Sequence, residues 1–199
     1  MSAGRFEDAY RGTPPWDIGR AQPAFERLAA DGQVRGPVLD AGCGTGENAL
    51  AFSARGFEVV GVDAVEAAVA TARAKARARG LAAEFLVHDA LSLGELGRRF
   101  GAVLDSGLFH TFDDKERRRY VTSLAAATAY GARVFLLCFS ERETREGGPR
   151  RVTQADLRAS FNGPLFRVLQ IEAAEMATNL DDGGRKAWLA TIERVASRS

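Results

Sequence analysis

The chain has 199 residues, with 27 Lys and Arg against 26 Asp and Glu, so its overall charge exerts little pull on polyanions. An apolar share of 46% beside a charged share of 27% excludes a disordered chain and suits one globular domain with a substantial core. The two cysteines, Cys43 and Cys138, do not form a disulfide framework and point to a reducing compartment.

Residues 1–12 mix charges of both signs without an apolar stretch, so no signal peptide is expected. No later apolar run approaches the roughly 20 residues that span a bilayer, and a cytoplasmic protein is the expectation. Gly12, Pro14, Pro15 and Trp16 read as an extended arm, followed by a helix over 22–31 with Pro23 in its first turn. Gly36-Pro37-Val38-Leu39-Asp40 enters a short apolar strand that breaks at Ala41-Gly42-Cys43-Gly44-Thr45-Gly46, and a helix runs from near Glu47 to Gly56.

Strand and helix signals then alternate. A strand over 57–62 ends in Asp63, and an alanine-rich helix over 64–79 closes at Gly80. Strands over 83–87 and 101–104 end near Asp89 and at Asp105-Ser106-Gly107. Residues 114–130 read as a helix with the charges of 115–119 facing water. The apolar run 134–139 has the signature of a central strand buried on both faces. A polar loop leads to a helix near 154–161 with Thr153 as N-cap. Two β-like stretches, 166–174 and 186–195, flank a turn-rich 179–184 and pair as a hairpin. The pattern predicts a single α/β domain over 1–199. Its sheet is Rossmann-like, doubly wound, mostly parallel and seven-stranded, with a terminal antiparallel hairpin and ligands outside the carboxyl ends of its strands.

The glycines of residues 38–46 let the backbone turn sharply and approach a ligand closely. A dinucleotide is one reading of such a loop. The spacing is G-x-G-x-G and not the dinucleotide G-x-G-x-x-G. Asp40, just before the loop, is poorly placed beside a pyrophosphate but suits the ammonium of a methionine moiety. Asp63 is placed to accept from two ribose hydroxyls and Asp89 from an adenine amino group. A Rossmann-like domain that keeps these residues only for turns and caps is the bland alternative.

On these residues, 38–46 resembles motif I of class I methyltransferases, Asp63 their ribose acid and Asp89 their adenine acid. The resemblance implies S-adenosyl-L-methionine as cofactor, with S-adenosyl-L-homocysteine as product. It implies a cofactor set of Trp16, Asp40, Gly42, Gly44, Gly46, Asn48, Asp63, Ala64, Asp89, Ala90 and Asp105. Pro15-Trp16-Asp17-Ile18-Gly19-Arg20 with Pro23 resembles a block of the thiopurine, thiol and halide methyltransferase family, in which an arm folds over the cofactor. This implies a lid formed by residues 1–32, with Trp16 walling the site and Tyr10 and Arg20 as further candidates. A hydrophobic plug that merely pins the N-terminus is the other reading. Asp105-Ser106-Gly107-Leu108-Phe109-His110-Thr111-Phe112 departs from halide enzymes and resembles bacterial methyltransferases that detoxify heterocycles.

The acceptor pocket is therefore expected around Tyr10, Trp16, Phe109, His110 and Phe112, with the two phenylalanines either sandwiching a flat acceptor or belonging to the plain core. His110 is the candidate general base, since its unperturbed pKa lies near neutrality. Its alternative is a histidine that hydrogen-bonds locally. Methyl transfer from a sulfonium needs alignment and exclusion of water more than a strong catalytic dyad, and a thiol acceptor already supplies some thiolate. The loop 141–151, with three glutamates, four arginines and two glycines, closes over the acceptor or is a solvated charged loop. No Cys/His cluster suggests a metal.

The expected activity is methyl transfer to a thiol or hydroxyl of a small aromatic or heterocyclic molecule, in detoxification. Halide or small-anion methylation, heterocycle N-methylation and a non-catalytic cofactor-binding regulator are the alternatives. No nucleic-acid or membrane partner is expected, the basic 73–79 stretch reading as a solvent-facing helix.

Overall fold

The computed structural model describes residues 4–180 and 183–196. A helical turn, α1 (Gly4–Glu7), opens the arm, and α2 (Pro23–Ala30) follows it with Pro23 in its first turn. The strands are β1 (Val38–Ala41), β2 (Val59–Asp63), β3 (Glu84–Val87), β4 (Phe100–Ser106), β5 (Thr128–Phe139), β6 (Phe166–Met176) and β7 (Arg185–Arg194). Between them lie α3 (Glu47–Ser53), α4 (Glu66–Arg79), α5 (Asp114–Ala127) and α6 (Gln154–Phe161).

They form one seven-stranded sheet in the order β3-β2-β1-β4-β5-β7-β6, and β7 runs antiparallel to both β5 and β6. This is the doubly wound sheet with a terminal antiparallel hairpin that the alternation predicts. The strand order reverses between β1 and β4, so the crevice for a ligand opens where β1, β2, β3 and β4 end.

Side-chain alternation along each strand builds two cores. Leu39 and Ala41 of β1, Val103 of β4, and Val134, Leu136 and Cys138 of β5 face Tyr120, Leu124, Leu157 and Phe161. Val38, Leu104, Phe135 and Leu137 face Phe25, Leu28, Leu50, Phe52 and Val69. Gly80 caps α4 with φ of 64°, and Thr153 forms a capping box with Asp156 at α6.

Two expectations are corrected. The helix predicted to 130 ends at Ala127, because Thr128 already pairs with Phe100 of β4 as a strand residue. The charges of 115–119 do not all face water. Arg117 is only 5% exposed, since three-residue spacing places it on the same helical stripe as Tyr120 and Leu124. No helix among the described residues is long and apolar enough to cross a membrane.

Candidate active site

A cavity of about 600 Å³ lies at the carboxyl ends of the strands, beneath the arm. Of the expected residues, Tyr10, Trp16, Gly42, Asp63, Ala64, Asp89, Ala90, His110 and Phe112 line it. Gly44 and Asn48 line a smaller adjoining recess of about 50 Å³, between the arm and the glycine loop. Asp40, Gly46, Asp105 and Phe109 line neither.

Asp63 carries the loop. Its Oδ2 accepts the Gly44 N–H and its Oδ1 the Val65 N–H, both at 2.9 Å. Burial raises its pKa, although hydrogen bonds from Val65 and Gly44 oppose the shift. Asp89 accepts the Leu91 N–H at 2.9 Å and starts the 3₁₀ turn that carries Ala90. Asp40 lies in the strand floor, where its Oδ2 accepts the Ala49 N–H at 3.1 Å and its Oδ1 is buried without a partner. Burial pushes its pKa up to about 7.

The glycines are required by contact. A Cβ on Gly44 would come 2.8 Å from the Tyr10 hydroxyl, and one on Gly46 within 2.8 Å of Ala72 and Phe85. The open loop and the two strand-end acids on the cavity wall fit a ligand with a ribose and an adenine, and the unpartnered Asp40 Oδ1 lies buried beneath them. Gly46 serves packing beneath this cradle.

Asp105 is fully buried and faces the protein. It accepts the Leu108 and Phe109 N–H groups and the Tyr120 hydroxyl, the last at 2.9 Å. This corrects its expected place on the cofactor surface: it shapes the turn after β4. Phe109 is corrected likewise. The 3₁₀ turn at Phe109–Thr111 sends its ring into the core against Phe161, at a centroid distance of 5.5 Å, while His110 and Phe112 face the cavity. The expected sandwich of two phenylalanines does not form.

His110 is oriented as a donor. Phe139 gives its backbone N–H to His110 Nδ1 at 3.0 Å, so the neutral ring carries its own proton on Nε2. Burial, with Arg117 and Arg151 nearby, pushes its pKa down to about 3. A neutral ring with Nδ1 occupied and Nε2 protonated has no free lone pair for a proton, which corrects the expected general base.

Further walls come from residues far apart in sequence: Phe139, Met176, Leu180 and the 146–149 stretch of the loop. Gly107, with φ of 79°, was a turn residue in the sequence, and a Cβ there would lie 3.2 Å from His110 Nε2.

The arm is pinned by polar bonds. Gln22 pairs through its amide with both the N–H and C=O of Ala177, and Asn48 accepts the Gln22 N–H at 2.9 Å. Asn48 thus holds the arm. Thr45 donates to Asp17 at 2.8 Å, and Lys75 of α4 reaches Thr45 and Glu47, each at 2.8 Å. Lys75 therefore fastens the glycine loop and the arm instead of merely facing solvent as expected. Lys75→Met should cost about 1 kcal/mol of stability and speed trypsin cleavage at exposed Arg20 several-fold. Wild-type cleavage rates would show that the arm is held elsewhere.

Comparison with known proteins agrees with this geometry. A family model described as a methyltransferase domain matches residues 38–131. A 2-heptyl-1-hydroxyquinolin-4(1H)-one methyltransferase of Mycobacteroides abscessus is 36% identical over 92% of this chain and 86% of its own. A solved structure from work on conversion of a disulfide bond into a thioacetal group during echinomycin biosynthesis is also 36% identical. It has a TM-score of 0.89 and covers 98% of this chain and 93% of that one. The Burkholderia thailandensis 1,6-didemethyltoxoflavin-N1-methyltransferase, bound to its namesake heterocycle and S-adenosylhomocysteine, shares the fold at 20% identity. Its TM-score is 0.68, with 98% of this chain and 82% of that chain covered. With glycine loop, strand-end acids, sheet order and a near full-length relative in agreement, the chain belongs to the class I S-adenosylmethionine-dependent methyltransferases.

Proposed function

We propose that the protein methylates a thiol or hydroxyl of a small aromatic or heterocyclic molecule, in a detoxifying role. The observation that carries this reading is the single cavity of about 600 Å³ that runs from Asp63 and Asp89 to walls of Phe112, Phe139 and Met176. That volume and lining suit a cofactor's nucleoside end together with a flat apolar acceptor. A halide ion needs no such apolar space. The two relatives of 36% identity are named for a hydroxyquinolinone and for chemistry at a disulfide, which favours oxygen or sulfur as the acceptor atom.

In this reading Asp63 holds the ribose and Asp89 the adenine amino group, while Asp40, beneath the glycine loop and lining neither cavity, acts on the ammonium of the methionine moiety through water. Gly42 and Gly44 let the ligand approach the backbone, while Ala64 and Ala90 flank the adenine. When bound, S-adenosylmethionine supplies an electrophilic methyl group on a sulfonium. Residues 4–32, the described part of the expected 1–32 arm, act as the lid, with Trp16 and Tyr10 excluding water from the reacting atoms. Trp16 donates its indole N–H to the Tyr10 hydroxyl at 3.2 Å, so the two rings move as a pair.

Transfer of label from methyl-labelled S-adenosylmethionine is the test, against a panel of aromatic thiols, hydroxylated heterocycles, halide ions and bulk RNA. Turnover on a thiol or hydroxyl is expected. Label appearing only in RNA or methyl halide would overturn the reading, as would cofactor binding with no transfer at all.

A further inference from the structure

Resting on the reading of a small ionisable acceptor, we propose that the acceptor end of the cavity is an anion site, taking the acceptor as its thiolate or oxyanion. One donor on the cavity wall, His110, and two cations behind it build it. His110 Nε2–H faces the cavity with no hydrogen-bond partner among the described residues, and the bare Cα of Gly107 keeps that N–H reachable.

Behind His110 lies Arg117. Its guanidinium stacks 4.5 Å from the Phe109 ring centroid, and its Nε and Nη2 are buried without a hydrogen bond. The nearby acids Asp156 and Asp114 act on it through space only, their hydrogen bonds going to the cap at Thr153 and to Arg150.

The third group is Arg151, which sits 5.4 Å from the Phe139 ring centroid. That ring in turn lies 4.8 Å from the His110 ring. Arg151 donates to the backbone carbonyls of Glu143, Arg145, Gly147 and Pro149, and pairs with no carboxylate among the described residues. The bonds fold the loop and leave the charge uncompensated. Arg117 and Arg151 do not line the cavity but stand behind His110, and a buried guanidinium whose N–H groups lack hydrogen bonds is costly, so the positive potential they set at His110 favours an anion at its Nε2–H.

Glu146, on the 146–149 stretch, also borders this end, while the remaining acids and Tyr10 lie apart from it. Asp63 and Asp89 end β2 and β3 on the nucleoside side, where Tyr10 reaches Gly44; His88 bonds to Ser92; and Glu146, on the loop, is exposed. The cavity is thus acidic at one end and basic at the other. The acceptor gives its proton to water before binding. Transfer of the methyl group to the resulting anion leaves a neutral ether or thioether and a neutral sulfide, so no side chain has to take up a proton. That agrees with a His110 fixed as a donor.

The test reads ionisation directly. 4-Nitrophenol is titrated spectrophotometrically in the presence of excess full-length protein saturated with S-adenosylhomocysteine, beside non-ionisable 4-nitroanisole. At least a tenfold preference for the phenolate is expected, seen as its visible absorbance appearing at lower pH than in free solution. Arg117→Met should reduce that preference several-fold at unchanged S-adenosylhomocysteine affinity, and Arg117→Lys should restore part of it. An unmoved or raised titration of the bound phenol, no binding, or nitroanisole binding as tightly as the phenolate would overturn the proposal. Should Arg117→Met not fold, the wild-type titration decides alone. Phenolate capture without methylation of any panel acceptor would support the anion site while overturning the proposed acceptor class.

Discussion

Asp63→Ala is expected to weaken S-adenosylhomocysteine binding by about 1.5–3 kcal/mol, close to tenfold at the low end and above a hundredfold at the high end. The carboxylate does two things at once. It is proposed to accept the ribose hydroxyls, and its oxygens hold the Gly44 and Val65 N–H groups that shape the glycine loop. The alanine variant loses both, so the loop loosens as the ribose contacts disappear. Asp63→Asn keeps one acceptor oxygen, and should retain more of the loop than of the affinity. Calorimetric titration with S-adenosylhomocysteine checks this, and an unchanged dissociation constant for Asp63→Ala would sink the ribose assignment.

The largest expected loss of stability belongs to Asp105→Ala. Truncation strands the Leu108 and Phe109 N–H groups and the hydroxyl of the fully buried Tyr120. Each orphaned donor costs about 1–3 kcal/mol, partly offset by removing a buried carboxylate, for a net loss of about 3–5 kcal/mol. For a chain of this length the melting temperature should fall by about 6–20 °C.

The effect has a definite pH dependence. Burial pushes the pKa of Asp105 up to about 6, above the ordinary value of the unfolded chain near 4. Between those values the folded protein binds more protons than the unfolded one, so wild-type stability falls as pH rises through the window. Asp105→Ala lacks that slope, and its deficit relative to wild type should shrink from pH 4 to pH 6. Asp40, with its pKa at about 7, extends the same decline toward neutrality. Denaturant unfolding at a series of pH values tests the sign, and a deficit that grows with pH would contradict it.

The glycine loop and the strand-end acids were legible in the sequence because each depends on local facts: a turn that needs φ above zero, and a strand that ends in a carboxylate. Most element boundaries followed hydrophobic periodicity for the same reason, the junction at 127–134 being the exception. The acceptor end was less legible. Phe109 and Phe112 look equivalent in sequence, yet the 3₁₀ turn points one ring into the core and the other into the cavity. Met176, Leu180 and Phe139 reach the cavity from β5, β6 and the turn beyond, through sheet topology that no local pattern encodes. Arg117 and Lys75 sit among charges that read as solvated surface. Only tertiary packing separates the buried guanidinium and the bridging ammonium from their neighbours.

The stitching of the arm sets how ligands come and go. Gln22 is bonded to Ala177, and Asn179 to the carbonyls of Pro14 and Asp17, so the arm and the end of β6 form one flap. Trp16 and Tyr10 on the arm, and Met176 and Leu180 on the other side of those bonds, wall the same chamber. Cofactor and acceptor thus share one door. On the proposed reading the cofactor sits under Tyr10 against the glycine loop, so it is expected to enter first and leave last.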